Sequence, residues 1–231
     1  MSREFTTVVF DLDGTLSDPA EGIFRCINHA LARHGQPKVG RGRAEAQIGP
    51  PLDEAFAALA PSADSNDIAR MIATYRERYA SVGFRENRVY PLIPEMLAGL
   101  SKNGMRMGVC TSKREDFAVK ILGHFGLRNY FAFVDGGDVG APKRGQLSRL
   151  LDAGVIDSNA VMVGDRAVDV LAARANSLRS VGVIWGFGSQ EELAGANPEF
   201  LASDPGHLRD ILVHGGVAQP PVVPAPRRQT R

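Results

Sequence analysis

Asp11-Leu12-Asp13-Gly14-Thr15 stands at the carboxyl end of the apolar run Val8-Val9-Phe10. Two carboxylates two residues apart on a rigid strand end repel each other, and holding them together is costly unless a cation sits between them. Gly14 allows a sharp turn directly after them. A lone Asp-x-Asp is as readily a solvated strand-to-turn junction. The longer Asp-x-Asp-Gly-Thr after an apolar strand points instead to chemistry at a strand tip, where open α/β sheets gather their ligands.

Three further strand ends carry groups that a phosphate site needs. Thr111-Ser112 follows Met107-Gly108-Val109-Cys110 and offers a hydroxyl with exposed backbone N–H groups suited to phosphate oxygens. Lys143 follows a strand and the glycine-rich stretch Gly136-Gly137-Asp138, and reads as a mobile point charge able to offset a phosphate or a negative intermediate. Gly164-Asp165-Arg166-Ala167-Val168-Asp169 follows Val161-Met162-Val163. Asp165, at the strand tip, can join Asp11 on a hard cation. Asp169, one helical turn later, can order the loop, hold Lys143 or hold a metal-bound water. Each alone has a bland explanation as a helix cap or a solvated charge. Their succession at strand ends in the order Asp-x-Asp, Thr, Lys, Asp does not.

The elements that must position these groups alternate between strand and helix. Strands are expected at residues 6–11, 105–111, 131–135, 160–164 and 180–184. Helices are expected at 94–103, 115–125, 145–153, 168–175 and 207–213. Such alternation implies a Rossmann-like parallel sheet with helices on both faces, reached by right-handed crossovers. Between Asp18 and Glu86 no strand pattern appears. A helix begins there after Asp18-Pro19-Ala20-Glu21, which combines a capping acid, a proline at the first helical position and a glutamate able to close a capping box. Further helices are expected at 52–59 and 68–79, and the stretch reads as an inserted all-helical subdomain. Trp185-Gly186-Phe187-Gly188 reads as a loop packing onto the core, with a wall of the site as the alternative, and the five histidines form no cluster.

Composition excludes several classes of function. With 231 residues, 44% hydrophobic and 23% charged, the chain is ordinary for a globular protein. A net charge of +1 provides no basic field, so no nucleic-acid partner is implied. Cys26 and Cys110 are the two cysteines, and neither their number nor their spacing suggests a metal site or a disulfide framework. The first strand follows Met1-Ser2-Arg3-Glu4 so closely that no signal peptide is expected, and no apolar run approaches membrane-spanning length. A soluble, cytoplasmic protein in a reducing compartment is expected, without a membrane partner, as a monomer or weak homodimer.

Taken together, the motifs resemble those of the haloacid dehalogenase superfamily, in the phosphoglycolate-phosphatase-like branch with a helical cap of the C1 type. Asp11-Leu12-Asp13-Gly14-Thr15, Thr111-Ser112, Lys143 and Gly164-Asp165 with Asp169 match its four motifs in order, and Ile48-Gly49-Pro50-Pro51-Leu52 and the stretch 183–189 are also similar to this branch. The resemblance implies an α/β core over residues 1–17 and 87–214, a helical cap over 18–86 and a tail over 215–231. It implies a Mg²⁺-dependent phosphomonoester hydrolase with Asp11 as nucleophile and Asp13 as acid/base that also lends a backbone carbonyl to Mg²⁺. Asp165 is then the remaining carboxylate ligand, Thr111 and Lys143 hold phosphoryl oxygens, and Ser112 and Asp169 support them. Arg43, Gln47 and Gly49 in the cap are the expected substrate contacts. Phosphoglycolate, a nucleotide, a sugar phosphate and a phosphorylated natural product all fit. Asn176-Ser177 and Pro142-Lys143-Arg144 depart from the usual pattern of relatives, which blurs the subfamily but touches no catalytic position. A phosphomutase is the alternative within the superfamily. A dehalogenase would need no metal, and Asp13 argues against it. A receiver-like phospho-acceptor domain shares the residue types but would carry its aspartate on a later strand and no helical insertion.

From Gly215 onward the proline- and arginine-rich sequence has no apolar periodicity and is expected to be a disordered tail. Deleting residues 215–231 should therefore leave melting temperature and turnover nearly unchanged. A large drop in either would show that the tail docks on the core or on a second subunit.

Overall fold

A computed structural model describes residues 5–49, 51–137 and 142–215. Apart from Gly215, the expected tail lies outside the described residues, as do Pro50 and Asp138. Six strands form one parallel sheet: β1 (Thr7–Phe10), β4 (Arg106–Thr111), β5 (Phe133–Gly136), β6 (Val161–Gly164), β7 (Arg179–Val183) and β8 (Phe200–Ala202), in the order β5-β4-β1-β6-β7-β8. β1 is central, in register with β4 at Val8↔Met107 and with β6 at Val8↔Val161. The chain builds outward to one side of β1 through β4 and β5, then crosses to the other side for β6. Strand order therefore reverses around β1, the place where such sheets open a crevice at their carboxyl ends.

Both faces of the sheet are buried, which explains why its strands read as continuous apolar runs. Successive side chains alternate between faces. Val8, Phe10, Met107, Val109, Val161 and Val163 join one apolar cluster, while Val9, Cys110 and Met162 join another. On the first face pack α5 (Ile93–Lys102), α6 (Glu115–His124) and α10 (Pro205–His214). On the second lie α7 (Lys143–Asp152) and α8 (Ala167–Ala175), through Leu147, Leu150, Ala172 and Ala173. α9 (Gln190–Ala196), capped by the Ser189 hydroxyl, adds Leu193 and Ala196 against Val170. Neither β8 nor α9 was expected from the sequence.

Between β1 and α5 the chain leaves the sheet. Strand β2 (Ser17–Asp18) pairs antiparallel with β3 (Arg88–Val89), and this short ribbon brackets α1 (Ala20–Arg33), α2 (Arg41–Glu45), α3 (Leu52–Leu59), α4 (Ser65–Ser81) and a 3₁₀ turn (Gly83–Glu86). The ribbon has two residues per strand, too few for an alternation to be read. Local chemistry at the start of α1 also differs from expectation. Pro19 precedes the first helical residue, and the Asp18 carboxylate accepts from the Ala20 N–H at 2.8 Å. Glu21 closes no capping box, because its carboxylate is drawn to the guanidinium groups of Arg25 and Arg41. Ile23, Ile27 and Leu31 of α1 and Met71 of α4 belong to the same buried cluster as the first face of the sheet.

Gly108 shows how tightly the sheet is covered. The register pairs it with Phe133, an added methyl would lie 2.1 Å from that ring, and the Arg106 guanidinium lies over the ring, 5.3 Å from its centroid. Gly108→Ala should cost about 1–3 kcal/mol by overpacking. An unchanged urea midpoint for this variant would show that the Phe133 ring does not cover β4.

Candidate active site

Asp11 follows the last residue of β1, Thr111 ends β4 and Asp165 follows the last residue of β6. Because these three strands are adjacent and parallel, their tips converge. The Asp11 N–H donates to the Val163 carbonyl at 2.9 Å and ties the end of β1 to that of β6. The chain then folds back on itself: the N–H groups of Leu16 and Ser17 both donate to the Leu12 carbonyl at 3.0 Å, and Gly14 N–H donates to the Ser17 carbonyl at 2.8 Å. Leu12 and Leu16 are buried and anchor this loop. Gly14 has φ +90°, and an added methyl would lie 2.1 Å from an Asp165 carboxylate oxygen, so the turn tolerates glycine alone.

Lys143 is buried at the first position of α7, with only 3% of its side chain exposed. Its ammonium lies 2.8 Å from Asp11 Oδ1 and also contacts Asp169 Oδ1. The expected mobile point charge is thus a fixed one: α7 starts two residues earlier than expected, and the two carboxylates draw the lysine inward. Burial opposes the ammonium charge, but Asp11 and Asp169 outweigh it and hold Lys143 above its ordinary value. Asp169 Oδ2 accepts from the Arg166 N–H at 3.1 Å, so this carboxylate both orders the loop and holds the lysine. Burial and the Asp11 charge raise the Asp169 carboxyl above its usual range, against the pull of Lys143.

Among the described residues, Asp11, Asp165 and Asp169 each offer a carboxylate oxygen, and these oxygens lie within 4.8 Å of one another. Asp165 is fully buried. Burial first, then the charge of Asp11, pushes its carboxyl up to about 7. One oxygen accepts from the Phe187 N–H at 2.8 Å and the other from the Thr15 hydroxyl at 3.3 Å. The Trp185-Phe187 loop therefore does more than pack on the core. Trp185 Nε1 donates to the Thr15 carbonyl at 3.0 Å, and a methyl on Gly186 would meet Asp165 Cβ at 2.3 Å.

Asp13 faces a different partner. Its Oδ2 lies 2.7 Å from Lys113 Nζ, and its Oδ1 is buried without a partner. Burial raises the Asp13 carboxyl, partly offset by Lys113. Thr111 Oγ1 accepts from the Lys113 N–H at 3.3 Å, and the Thr111 carbonyl accepts from Gln146 Nε2 at 3.1 Å. Ser112 is exposed beside this turn. The reading of the sequence passed over Lys113, although it stands two residues after Thr111, and over Gln146, for which no sequence signal exists. Burial pushes the Cys26 thiol up to about 11 and the Cys110 thiol up to about 12, so neither is a nucleophile at neutral pH.

On the side of the helical insertion, a cleft of about 480 Å³ runs between Glu45, Ala46 and Ile48 and the core residues Arg166, Gly186 and Phe187. Arg166 donates to the Ile48 carbonyl at 3.3 Å and to Glu192 at 2.9 Å, and Gly49, with φ +110°, lies beside its guanidinium. Arg43 is exposed and Gln47 half-buried, and neither lines this cleft.

Comparison with known proteins agrees with this arrangement. The chain is 37% identical over 212 residues to a 5'-nucleotidase of Pseudomonas aeruginosa, covering 90% of this chain and 96% of that one. It is 32% identical over 213 residues to a phosphoglycolate phosphatase of Yersinia pestis, covering 89% and 90%. Among solved structures, a haloacid dehalogenase-like hydrolase from Streptococcus pneumoniae superposes with a TM-score of 0.82 at 26% identity, covering 89% of this chain and 97% of that one. Residues 8–183, which span the tips of β1, β4 and β6, match the haloacid dehalogenase-like hydrolases, and the chain belongs to that family.

Proposed function

We propose that this protein is a Mg²⁺-dependent phosphomonoester hydrolase that works through an aspartyl-phosphate on Asp11. The observation that carries the reading is the Asp11 carboxylate at the tip of the central strand, held by the buried Lys143 ammonium 2.8 Å away. The similarity to a 5'-nucleotidase and to a phosphoglycolate phosphatase supports a small phosphorylated metabolite as substrate.

The residues present fit a divalent cation. Asp11, Asp13, Asp165 and Asp169 face two ammonium groups, Lys113 and Lys143, so the ionised site carries two uncompensated negative charges. Burial first, and then the Asp11 charge, raise the Asp165 carboxyl, so its ionised form is the one a bound cation would favour. An all-oxygen set suits Mg²⁺. Asp11, Asp165 and the Asp13 backbone carbonyl would hold the ion, with Asp169 supporting them. Bound there, Mg²⁺ would neutralise carboxylate and phosphate charge.

Asp11 then attacks phosphorus in line, forming an O–P bond as the bond to the leaving oxygen breaks. Asp13 gives that oxygen its proton. Lys143, and Thr111 through its hydroxyl, stabilise charge on the transferring phosphoryl oxygens. In the second step Asp13 takes a proton from water, whose oxygen attacks phosphorus and displaces Asp11. Residues 18–86 act as the cap, hinged near Ser17-Asp18 and Arg85-Glu86-Asn87, and its opening admits the water. The cleft beside Arg166 and Ile48 receives the organic part of the substrate, with Gly49 at its edge and Arg43 and Gln47 nearby in the cap sequence.

Two experiments test this reading. In excess chelator, Asp165→Asn should melt higher than wild type. An acid whose folded value is raised costs stability once it is ionised, so the advantage should be full above pH about 7 and fade as pH falls toward the ordinary carboxylate range. Its size at neutral pH should be about 1–3 kcal/mol. Mg²⁺ should raise the melting temperature of wild type, restore turnover after chelation and leave Asp165→Asn unmoved. Full turnover in chelator would remove the cation from the mechanism.

The second concerns the nucleophile and the fate of the phosphoryl group. Asp11→Asn should abolish turnover while the fold is kept. In ¹⁸O-water, wild type should release phosphate carrying the label, with no need for a bisphosphate activator. Accumulation of an isomeric phosphosugar without label in phosphate would put a mutase in place of the hydrolase.

A further inference from the structure

Of the two buried ammonium groups described at the site, Lys113 is left without a task by the mechanism above. Its backbone is pinned at both ends of the residue: its N–H donates to Thr111 Oγ1, and its carbonyl accepts from the Gly137 N–H at 3.0 Å. Its ammonium donates to the Tyr79 hydroxyl at 2.9 Å and lies 2.7 Å from Asp13 Oδ2. Tyr79 belongs to α4, in the helical insertion, and is itself fixed from two sides. It stacks on Tyr75 at 5.7 Å and meets the edge of Phe117, on core helix α6, at 5.2 Å. The ammonium also lies 4.8 Å from the Tyr79 ring centroid, within range of a cation–π contact.

This arrangement makes the two oxygens of Asp13 unequal. Oδ2 is occupied by Lys113, whereas Oδ1 is buried and unpartnered. Leaving a buried acceptor unpaired is costly, and such an atom persists where a reacting group supplies the missing partner. An acid/base must also hold its reactive atom in place when the substrate arrives, and a side chain fixed by packed neighbours does so at least cost in ordering.

We propose that Lys113, held by Tyr79 of the helical insertion, is the positioning residue for Asp13: it anchors Oδ2 and thereby assigns Oδ1 as the atom that exchanges protons with the leaving oxygen and the attacking water. The inference rests on the reading of Asp13 as acid/base. Lys113 donates to Oδ2 whether or not Oδ1 carries the proton, so no proton passes through the lysine. Tyr79 makes a residue of the inserted segment part of the support of a group on the core.

Leaving-group dependence tests it. The value of kcat/KM for dinitrophenyl, p-nitrophenyl and phenyl phosphate reports formation of the phosphoenzyme, and the need for a proton grows along that series. For Lys113→Met, phenyl phosphate should lose activity on the order of 100-fold, while dinitrophenyl phosphate loses less than about threefold. Tyr79→Phe keeps the ring and its packing and removes the hydroxyl, so it should show the same pattern with a loss of roughly three- to tenfold on phenyl phosphate. Lys113→Arg should restore part of the loss. Asp13→Asn provides the control. If Asp13→Asn shows the leaving-group pattern while Lys113→Met and Tyr79→Phe lose activity equally across the series or not at all, the positioning role is overturned and the acid reading stands. If Asp13→Asn itself shows no such pattern, the acid reading fails and the proposal with it. Should Lys113→Met fail to fold, the Tyr79→Phe series decides alone.

Discussion

The excess of carboxylates at the strand tips is the constraint on which the rest of this structure turns. Four aspartates meet where β1, β4 and β6 end, and two buried lysines neutralise only part of their charge. Such crowding is unfavourable in a low dielectric unless each group is held by a donor or a cation. The fold supplies the donors one by one. The Phe187 and Arg166 N–H groups serve Asp165 and Asp169, the Thr15 hydroxyl adds to Asp165, and Lys113 and Lys143 divide Asp13 and Asp11 between them. Close approach depends on missing side chains: a methyl on Gly14 or Gly186 would collide with Asp165. A parallel sheet makes the meeting possible, because its adjacent strands all end on the same side.

The helical insertion is coupled to the same site through packing. It leaves the chain after the Asp11–Ser17 loop and returns through the β2–β3 ribbon, yet Ile23, Ile27 and Met71 share one apolar cluster with the first face of the sheet. The Tyr79–Phe117 contact and the Arg166–Ile48 hydrogen bond touch it at two separate places, one near Asp13 and one near Asp165. Packed contacts of this kind have few intermediate arrangements, so a shift of the insertion is transmitted to the residues it touches rather than absorbed.

What could be read from the sequence follows from how local each signal is. β1, β4 and β6 were legible because burial on both faces makes them unbroken apolar runs, and the α3 boundaries because a helical stripe sits between clear breakers. β2 and β3 were not, since two residues carry no period. β8 and α9, with three and seven residues, fall below the length at which pattern outweighs noise. At the site, the acids announced themselves through spacing. The groups that hold them did not, because a lysine after proline and a tyrosine in an apolar stripe look the same whether solvated, packed or aimed at a carboxylate. Lys143 was read as mobile and is buried; Tyr79 is a buried core residue whose hydroxyl serves Lys113.

α7 shows the site overriding a local rule. The amino end of a helix carries partial positive charge and favours acids in its first turn. The helices α1, α3, α4, α5, α6, α8 and α9 follow that preference. α2, α7 and α10 have no acid in the first turn, and α7 opens with Lys143-Arg144, of which Lys143 is buried at the site. Taken alone, that choice destabilises the helix by roughly 0.3–1 kcal/mol. Here the Lys143 ammonium presents its charge to Asp11, and Asp11 and Asp169 hold the lysine charged despite burial. Departures of this kind, where local preference yields to a charge that the site requires, are where a fold's chemistry can be told apart from its architecture.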